Sequence, residues 1–316
     1  MRLIALEEHF VIPELARYGA TAKVTVGAGF WAQAAARLAD VTAHRLAVMD
    51  ACGIDVQVLS LNAPGIQAEP DPQAAVRAAA QANDALARII VDHPGRFCGF
   101  AALPLQDPAR AVAELTRAVT VIGLRGALVN GHTHGVYLDD PSLWPVWERA
   151  QDLGVPLYLH PATSYDTWHV LKGREGLIGP AWSWGAETAA HALRVVVGGT
   201  FDRFPGATMI LGHMGETLPY VLGRLDNRWA IGENSGPALA PSAYFRRNVM
   251  ITTSGVHDPA PLLAAITVMG AERVMFATDY PFEQAEDAVV ALRNAPVTEQ
   301  ERTMISHGNA AKLLGL

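Results

Sequence analysis

Residues 1–10 read MRLIALEEHF. Four apolar residues, Leu3 to Leu6, lead straight into Glu7, Glu8 and His9, and the chain turns apolar again at Phe10. A short apolar run without polar alternation fits a strand buried on both faces, as in a parallel sheet covered by helices. Residues two apart in an extended chain point the same way, so Glu7 and His9 are expected on one side and Glu8 on the other.

Seven more runs of this kind follow: VQVLSL near residue 56, FCGFAAL near 97, LRGALVN near 124, PLYLH near 156, TMILGH near 208, VMITTS near 249 and RVMFATD near 273. Ala- and Leu-rich stretches of helical character separate most of them, such as PDPQAAVRAAAQANDALARIIVDHP, DPARAVAELTRAV and WGAETAAHALRVVV. Eight β-then-α units predict an α/β fold, a single-domain (β/α)8 barrel over residues 1–316, rather than a doubly wound sheet. Two connections are long, about residues 10–45 and 161–180, and connections of that length often serve as lids or interface pieces.

In such a barrel the reactive groups stand where strands end. Strand one ends in Glu7-Glu8-His9, strand five in His160-Pro161, strand six in His213-Met214-Gly215-Glu216 and strand eight in Thr278-Asp279-Tyr280-Pro281. A lone histidine at a strand end is usually structural. Four strand ends that collect Glu, His, His, His and Asp on one rim suit a divalent ion with nitrogen and oxygen ligands, Zn²⁺ or Mn²⁺. His132 and His134, after strand four, and His257, after strand seven, read as loop residues or as groups at the pocket mouth.

Composition narrows the partners. Half of the chain is hydrophobic, 17% is charged, the net charge is -7, and the only lysines are Lys23, Lys172 and Lys312. Without a basic stripe, neither nucleic acid nor an acidic membrane surface is expected as a partner. Cys52 and Cys98 are the two cysteines. They lack metal-binding spacing and fit a reducing compartment. Carboxylates interrupt the first apolar run, and no apolar stretch is long enough to span a bilayer. A cytoplasmic location is expected.

The segments LEEHFVIPEL, LSLNAPGIQ, FAALPLQDP, GALVNG, LYLHP, GHMGE, TTSG and TDYPFE resemble, in order and over nearly the whole chain, the amidohydrolase superfamily. Within it they are most similar to the metal-dependent, non-oxidative aromatic acid decarboxylases of the γ-resorcylate (2,6-dihydroxybenzoate) type. His9 stands where related dihydroxybenzoate and carboxyvanillate enzymes carry Ala. The resemblance implies Glu7, His9, His160 and Asp279 as ligands of one divalent ion per subunit, with no organic cofactor. It implies His213 paired with Glu216, and Arg224, Asn130 and Phe282 lining a pocket for a small aromatic carboxylate. It also implies a homo-oligomer, a tetramer or dimer. The segments Gly19–Trp31 and GHTHG depart from the family pattern and are expected to touch the substrate region. No lysine stands near a catalytic strand end, so a carbamate-bridged metal pair is not expected.

The implied reaction is reversible loss of CO₂ from an ortho-hydroxybenzoate, with Asp279 protonating the ring carbon. Glu216 is expected in a first helical turn, which favours an anion. Arg224 is expected about two turns further along the same helix face. The same ligands would also serve a hydrolase of lactones, esters or amides, or a hydratase. A non-catalytic barrel, the remaining alternative, predicts that the rim residues need not converge.

Overall fold

The computed structural model describes residues 1–24, 26–232 and 236–316, with the backbone alone at 19–24. A strand forms at each of the eight apolar runs. They are β1 Ile4–Phe10, β2 Val56–Leu61, β3 Phe97–Gly99, β4 Ala127–Asn130, β5 Leu157–His160, β6 Met209–Leu211, β7 Val249–Thr252 and β8 Val274–Met275. Parallel ladders join β1 to β3 and β4 to β8 in sequence order. Single parallel bridges, Ala101 to Ala127 and Leu6 to Ala277, join the two remaining edges. The strands therefore follow one another around a ring, as in a (β/α)8 barrel.

All of these strand residues are buried, which is why no two-residue alternation shows in the sequence. Ile4, Leu6, Val58, Phe100, Tyr158 and Ile210 belong to a cluster inside the ring. Leu3, Ala5, Leu59, Trp147 and Leu157 belong to the larger cluster between strands and helices. Both faces of each strand thus meet apolar neighbours. Ala310 and Leu314, from the helix Asn309–Leu314, join the inner cluster and close one end of it.

The helices obey local rules. Asp71 caps Pro72–Asp92 by accepting bonds from Gln73 N and Ala74 N, with Pro at the first position. Asp107 does the same for Pro108–Thr120 through Arg110 N. The long connection after β1 is more ordered than the sequence suggests. It holds the 3₁₀ segment Pro13–Val24 and the helix Ala28–Ala39, and the helix Ala43–Cys52 begins inside it. Residue 25 and the side chains of 19–24, part of the divergent Gly19–Trp31 stretch, lie outside the described residues. The second long connection carries only two short 3₁₀ turns, His169–Leu171 and Glu175–Leu177.

Buried Arg45, on Ala43–Cys52, fastens that helix to the strand ends. It donates to the carbonyl of His9 and to Gln57 Oε1 (3.2 Å) and lies 4.4 Å from the centre of the Tyr280 ring. Glu8 accepts from Gln57 Nε2 (3.0 Å), Thr278 N (2.9 Å) and Thr278 Oγ1 (2.7 Å), tying β1 to β2 and to the segment after β8. Burial pushes the Glu8 carboxyl up to about 8.

Phe100 is a good reporter of the inner core, since its ring lies 5.8 Å from that of Tyr158 and is 1% exposed. Phe100→Ala should lower stability by about 3–5 kcal/mol, read from urea unfolding followed by circular dichroism.

Candidate metal centre

Glu7, His9, His160, His213 and Asp279 meet at one point on the rim. Ligand atoms of Glu7, His9 and His160 all lie within 4.8 Å of one another, as do those of Glu7, His213 and Asp279. Glu7 Oε1 stands 3.6 Å from His160 Nε2 and 3.6 Å from His213 Nε2. Asp279 is 3.3 Å from His9 Nε2 through Oδ1 and 3.6 Å from His213 Nε2 through Oδ2. These separations are long for hydrogen bonds. They suit groups arranged about one cation, since ligand atoms each about 2.0–2.2 Å from a zinc-like ion stand roughly 3–3.5 Å apart. Glu7 Oε1 and His9 Nε2 are buried and have no hydrogen-bond partner among the described residues. Orphaned donor atoms aimed at one point are what a metal ion would satisfy.

The backbone bends to make this possible. Between Ala5 and Glu8, β1 advances three residues while β2 advances from Gln57 to Leu59. The extra residue is Glu7, which is left-handed at φ 63°. Glu7 and His9 thus reach the same point through a bulge rather than by simple pleating, while Glu8 turns to Gln57 and Thr278. Asp279 (φ 64°) and His213 (φ 46°) are left-handed as well. For non-glycine residues such a backbone costs of order 1–3 kcal/mol each and persists where neighbours fix it.

The neighbours can be named. Glu7 Oε2 accepts from the hydroxyls of Tyr158, Thr252 (3.1 Å) and Ser254. All three bonds fall on one oxygen and leave Oε1 for the centre. Gly212, just after β6, leaves room for this carboxylate, because a Cβ there would sit 2.6 Å from both Glu7 oxygens. His213 Nδ1 pairs with Glu216 Oε1 at 2.8 Å, which turns Nε2 inward.

Electrostatics follow from burial and crowding. Desolvation raises the Glu7 carboxyl, with His213 and His9 opposing it. Desolvation, with His9 and His213 nearby, pushes His160 well below the usual imidazole value, so it is neutral and able to ligate. Burial opposes charge on His213, yet Glu7 and Glu216 raise it well above the usual value. Burial alone would raise Asp279, but the imidazoles of His213 and His9 beside it favour its anion and carry it below the ordinary carboxylate range.

A cavity of about 150 Å³ opens over the cluster. Its walls are largely apolar and include Phe30, Trp31, Ala63, Pro180, Trp184 and Phe282. Phe282 stands in the wall, with its ring 5.8 Å from that of His9. Asn130 does not line this cavity. It is buried beside His160 in the β4–β5 ladder, and the strand-end asparagine in the wall is Asn62. Arg224 is exposed on the helix Leu218–Ala230 and does not line the cavity, contrary to expectation. The reason lies in the chain before it. His213, Met214, Gly215, Glu216 and Thr217 all have positive φ, so Glu216 is not in a regular first turn and the assumed helical phase to Arg224 is broken. Glu216 acts through its bond to His213 and not through a helix dipole.

GHTHG lies outside the cavity wall too. His132 Nε2 is 3.1 Å from Thr163 O, and His134 Nε2 is 2.9 Å from Glu69 O. His132 still bears on the wall indirectly, because Thr163 Oγ1 accepts from Trp184 Nε1 at 3.0 Å. Sequence reasoning missed Tyr158, Thr252 and Ser254. Their signal was polarity: a hydroxyl on a buried strand two residues before His160, and a TTS run ending β7.

Residues 14–316 match the amidohydrolase family model. The chain is 42% identical over 328 residues to a gamma-resorcylate decarboxylase of Polaromonas sp., covering 99% of this chain and 98% of that protein. A crystal structure of 2,6-dihydroxybenzoate decarboxylase complexed with 2,6-dihydroxybenzoate superposes with a TM-score of 0.95 at 41% identity, covering 100% of both chains. A dihydroxybenzoic acid decarboxylase from Polaromonas sp., with bound manganese and the inhibitor 2-nitroresorcinol, gives 0.94 at 41% identity, covering 100% of this chain and 97% of that one.

Purified protein should carry one divalent ion per chain by elemental analysis. His160→Ala and Gly212→Ala should lose it while keeping the far-ultraviolet spectrum. Tyr158→Phe should weaken metal affinity by roughly 10–100-fold, the usual effect of removing a hydrogen bond that orients a ligand.

Proposed function

The chain belongs to the amidohydrolase family, and from that premise we propose that it is a metal-dependent carboxy-lyase acting on an ortho-hydroxybenzoate of the 2,6-dihydroxybenzoate or salicylate type. The observation that carries the reading is the cluster of carboxylates and imidazoles at the floor of an aromatic-walled cavity. Full-length likeness to gamma-resorcylate decarboxylases supports it.

Glu7, His9, His160 and Asp279 are the residues we assign to the ion, Zn²⁺ or Mn²⁺. When bound, the ion supplies the positive charge that acidifies the ortho-hydroxyl and holds it with the carboxylate in one orientation. Asp279 starts ionised, because His213 and His9 favour its anion. It can therefore take the proton that the ortho-hydroxyl gives up, and the electron-rich ring then takes that proton at the carbon bearing the carboxylate. The carboxylate–ring bond breaks, its electrons restore the aromatic ring, and CO₂ leaves. The phenolate that remains takes a proton from water as it leaves, which makes the product neutral, and no electron acceptor is needed.

His213, turned by Glu216, presents Nε2 3.6 Å from Asp279 Oδ2. In this reading it positions Asp279 and balances the negative charge gathered around the substrate. Phe30, Trp31, Trp184 and Phe282 keep water from the ring and favour departure of a neutral product.

Two coarser expectations join the proposal. Exposed apolar Tyr165, Val170, Leu177 and Trp182 all lie in or beside the 161–180 connection. Together they support an interface between copies of this chain in a dimer or tetramer. Both cysteines are free, which fits a reducing, cytoplasmic setting. No helix among the described residues is long and apolar enough to cross a membrane.

Asp279→Asn should lower turnover by ~10²–10⁴, the scale of general acid–base assistance. Decarboxylation in D₂O should place one deuterium on the carbon that lost CO₂, read by mass spectrometry. Benzoate and 4-hydroxybenzoate, which lack an ortho-hydroxyl, should be inert. Rapid turnover of either, or a lactone opened without CO₂, would favour the hydrolase. Light scattering should give a mass above that of one chain.

A further inference from the structure

Apart from His160, His213, Asp279 and the two tryptophans, the polar side chains in the cavity wall among the described residues are Asn62 and Glu283. Asn62 is neutral, and one of its amide hydrogens is engaged: Nδ2 donates to Ala63 O at 2.9 Å. Glu283 is different. Its backbone N–H is bound to Asp279 O at 3.2 Å, which fixes where its side chain starts. Gly255 opposite lacks a side chain, and a Cβ placed there would lie 3.4 Å from His213 Cδ2, 3.8 Å from Asp279 Oδ2 and 3.8 Å from Glu283 Cγ. Glu283 therefore borders the same gap as His213 and Asp279. It lines both this cavity and an adjoining one of about 390 Å³. Its carboxylate has no hydrogen bond or ion pair among the described residues, and partial burial, with the charge of Asp279, raises it above the usual carboxylate value.

A carboxylate without a donor in the wall of a cavity meant for an anion is a liability unless the ligand brings the donor. The carboxylate is half-buried, so water can reach it while the cavity is empty, and the penalty comes from like charge when an acid binds beside it. We propose that Glu283 is a specificity-determining residue. Its carboxylate takes a hydrogen bond from a second donor on the ring, a hydroxyl or an amino group, and it turns away rings that carry an acceptor or a second carboxylate there. The inference rests on the decarboxylase reading only for the identity of the acid. The recognition itself concerns an aromatic ring with two donors.

The test compares resorcinol with phenol, two rings that differ by one donor. Binding to the zinc-loaded protein is read by quenching of tryptophan fluorescence, since Trp31 and Trp184 lie in the wall. A charge-assisted hydrogen bond in a partly desolvated site should make resorcinol bind roughly tenfold or more tighter than phenol. In Glu283→Ala the ratio should fall towards one, and Glu283→Gln, which keeps the shape without the charge, should lie between. The ratio of kcat/KM for 2,6-dihydroxybenzoate over salicylate should fall in the same order. No preference in the wild type, or an unchanged binding ratio in Glu283→Ala, overturns the inference. If the alanine variant does not fold, an unchanged ratio in Glu283→Gln overturns it. A binding preference that vanishes on substitution, in a protein that releases CO₂ from neither acid, removes the decarboxylase reading and leaves the role of Glu283 standing. CO₂ release with an unchanged binding ratio does the reverse.

Discussion

A carboxylate with no exposed surface must be held by something other than water, and Glu7 is the group around which this molecule is arranged. Three hydroxyls from β5 and the end of β7 converge on one of its oxygens. They orient the group without cancelling its charge, so the other oxygen keeps an unmet demand for a cation. Much else follows from that demand. Histidines gather at 3.6 Å instead of closing to hydrogen-bond distance, Gly212 stays small, and the first strand carries a bulge.

The same demand accounts for the left-handed backbone at Glu7, His213 and Asp279. Each lies close to the end of a strand whose direction is fixed by its ladder, yet the side chain must point to a single spot above the ring. A local turn of the backbone supplies the missing angle. The strain is held by bonds made one residue away: Glu8 to Gln57 and Thr278, and Arg45 to the carbonyl of His9. Buried polar groups that touch no ligand can thus matter to the centre as much as those that do.

The barrel was legible because eight apolar runs recur between helical stretches, and the cluster because its members stand where those runs stop. Glu7, His9, His160, His213, Asp279 and Phe282 could be picked from position and motif. What the sequence hid was whatever depends on local departures from regular geometry. Arg224 was placed by counting helical turns from Glu216, and five consecutive left-handed residues from His213 to Thr217 break that count. Asn130 has the right strand end but packs under the wall, and Asn62 takes its place. Phe30 and Trp31 fall in the Gly19–Trp31 stretch expected near the substrate, but they reach the cavity from a helix where the sequence reads as loop.

The seam between β8 and β1 has a further meaning for how the molecule comes into being. β8 is two residues long, and it meets β1 through the Leu6–Ala277 bridge, the bonds from Leu6 N to Phe276 O and from His9 N to Tyr280 O, and the grip of Glu8 on Thr278. Glu7 and His9 are synthesised well before Asp279. The two halves of the centre therefore exist together only after the ring has closed between Leu6 and Ala277, a contact of very long sequence separation and so a slow kind of event in folding. An ion captured there adds its binding free energy to the closed state alone. Such an ion would act as a latch that partial barrels cannot engage.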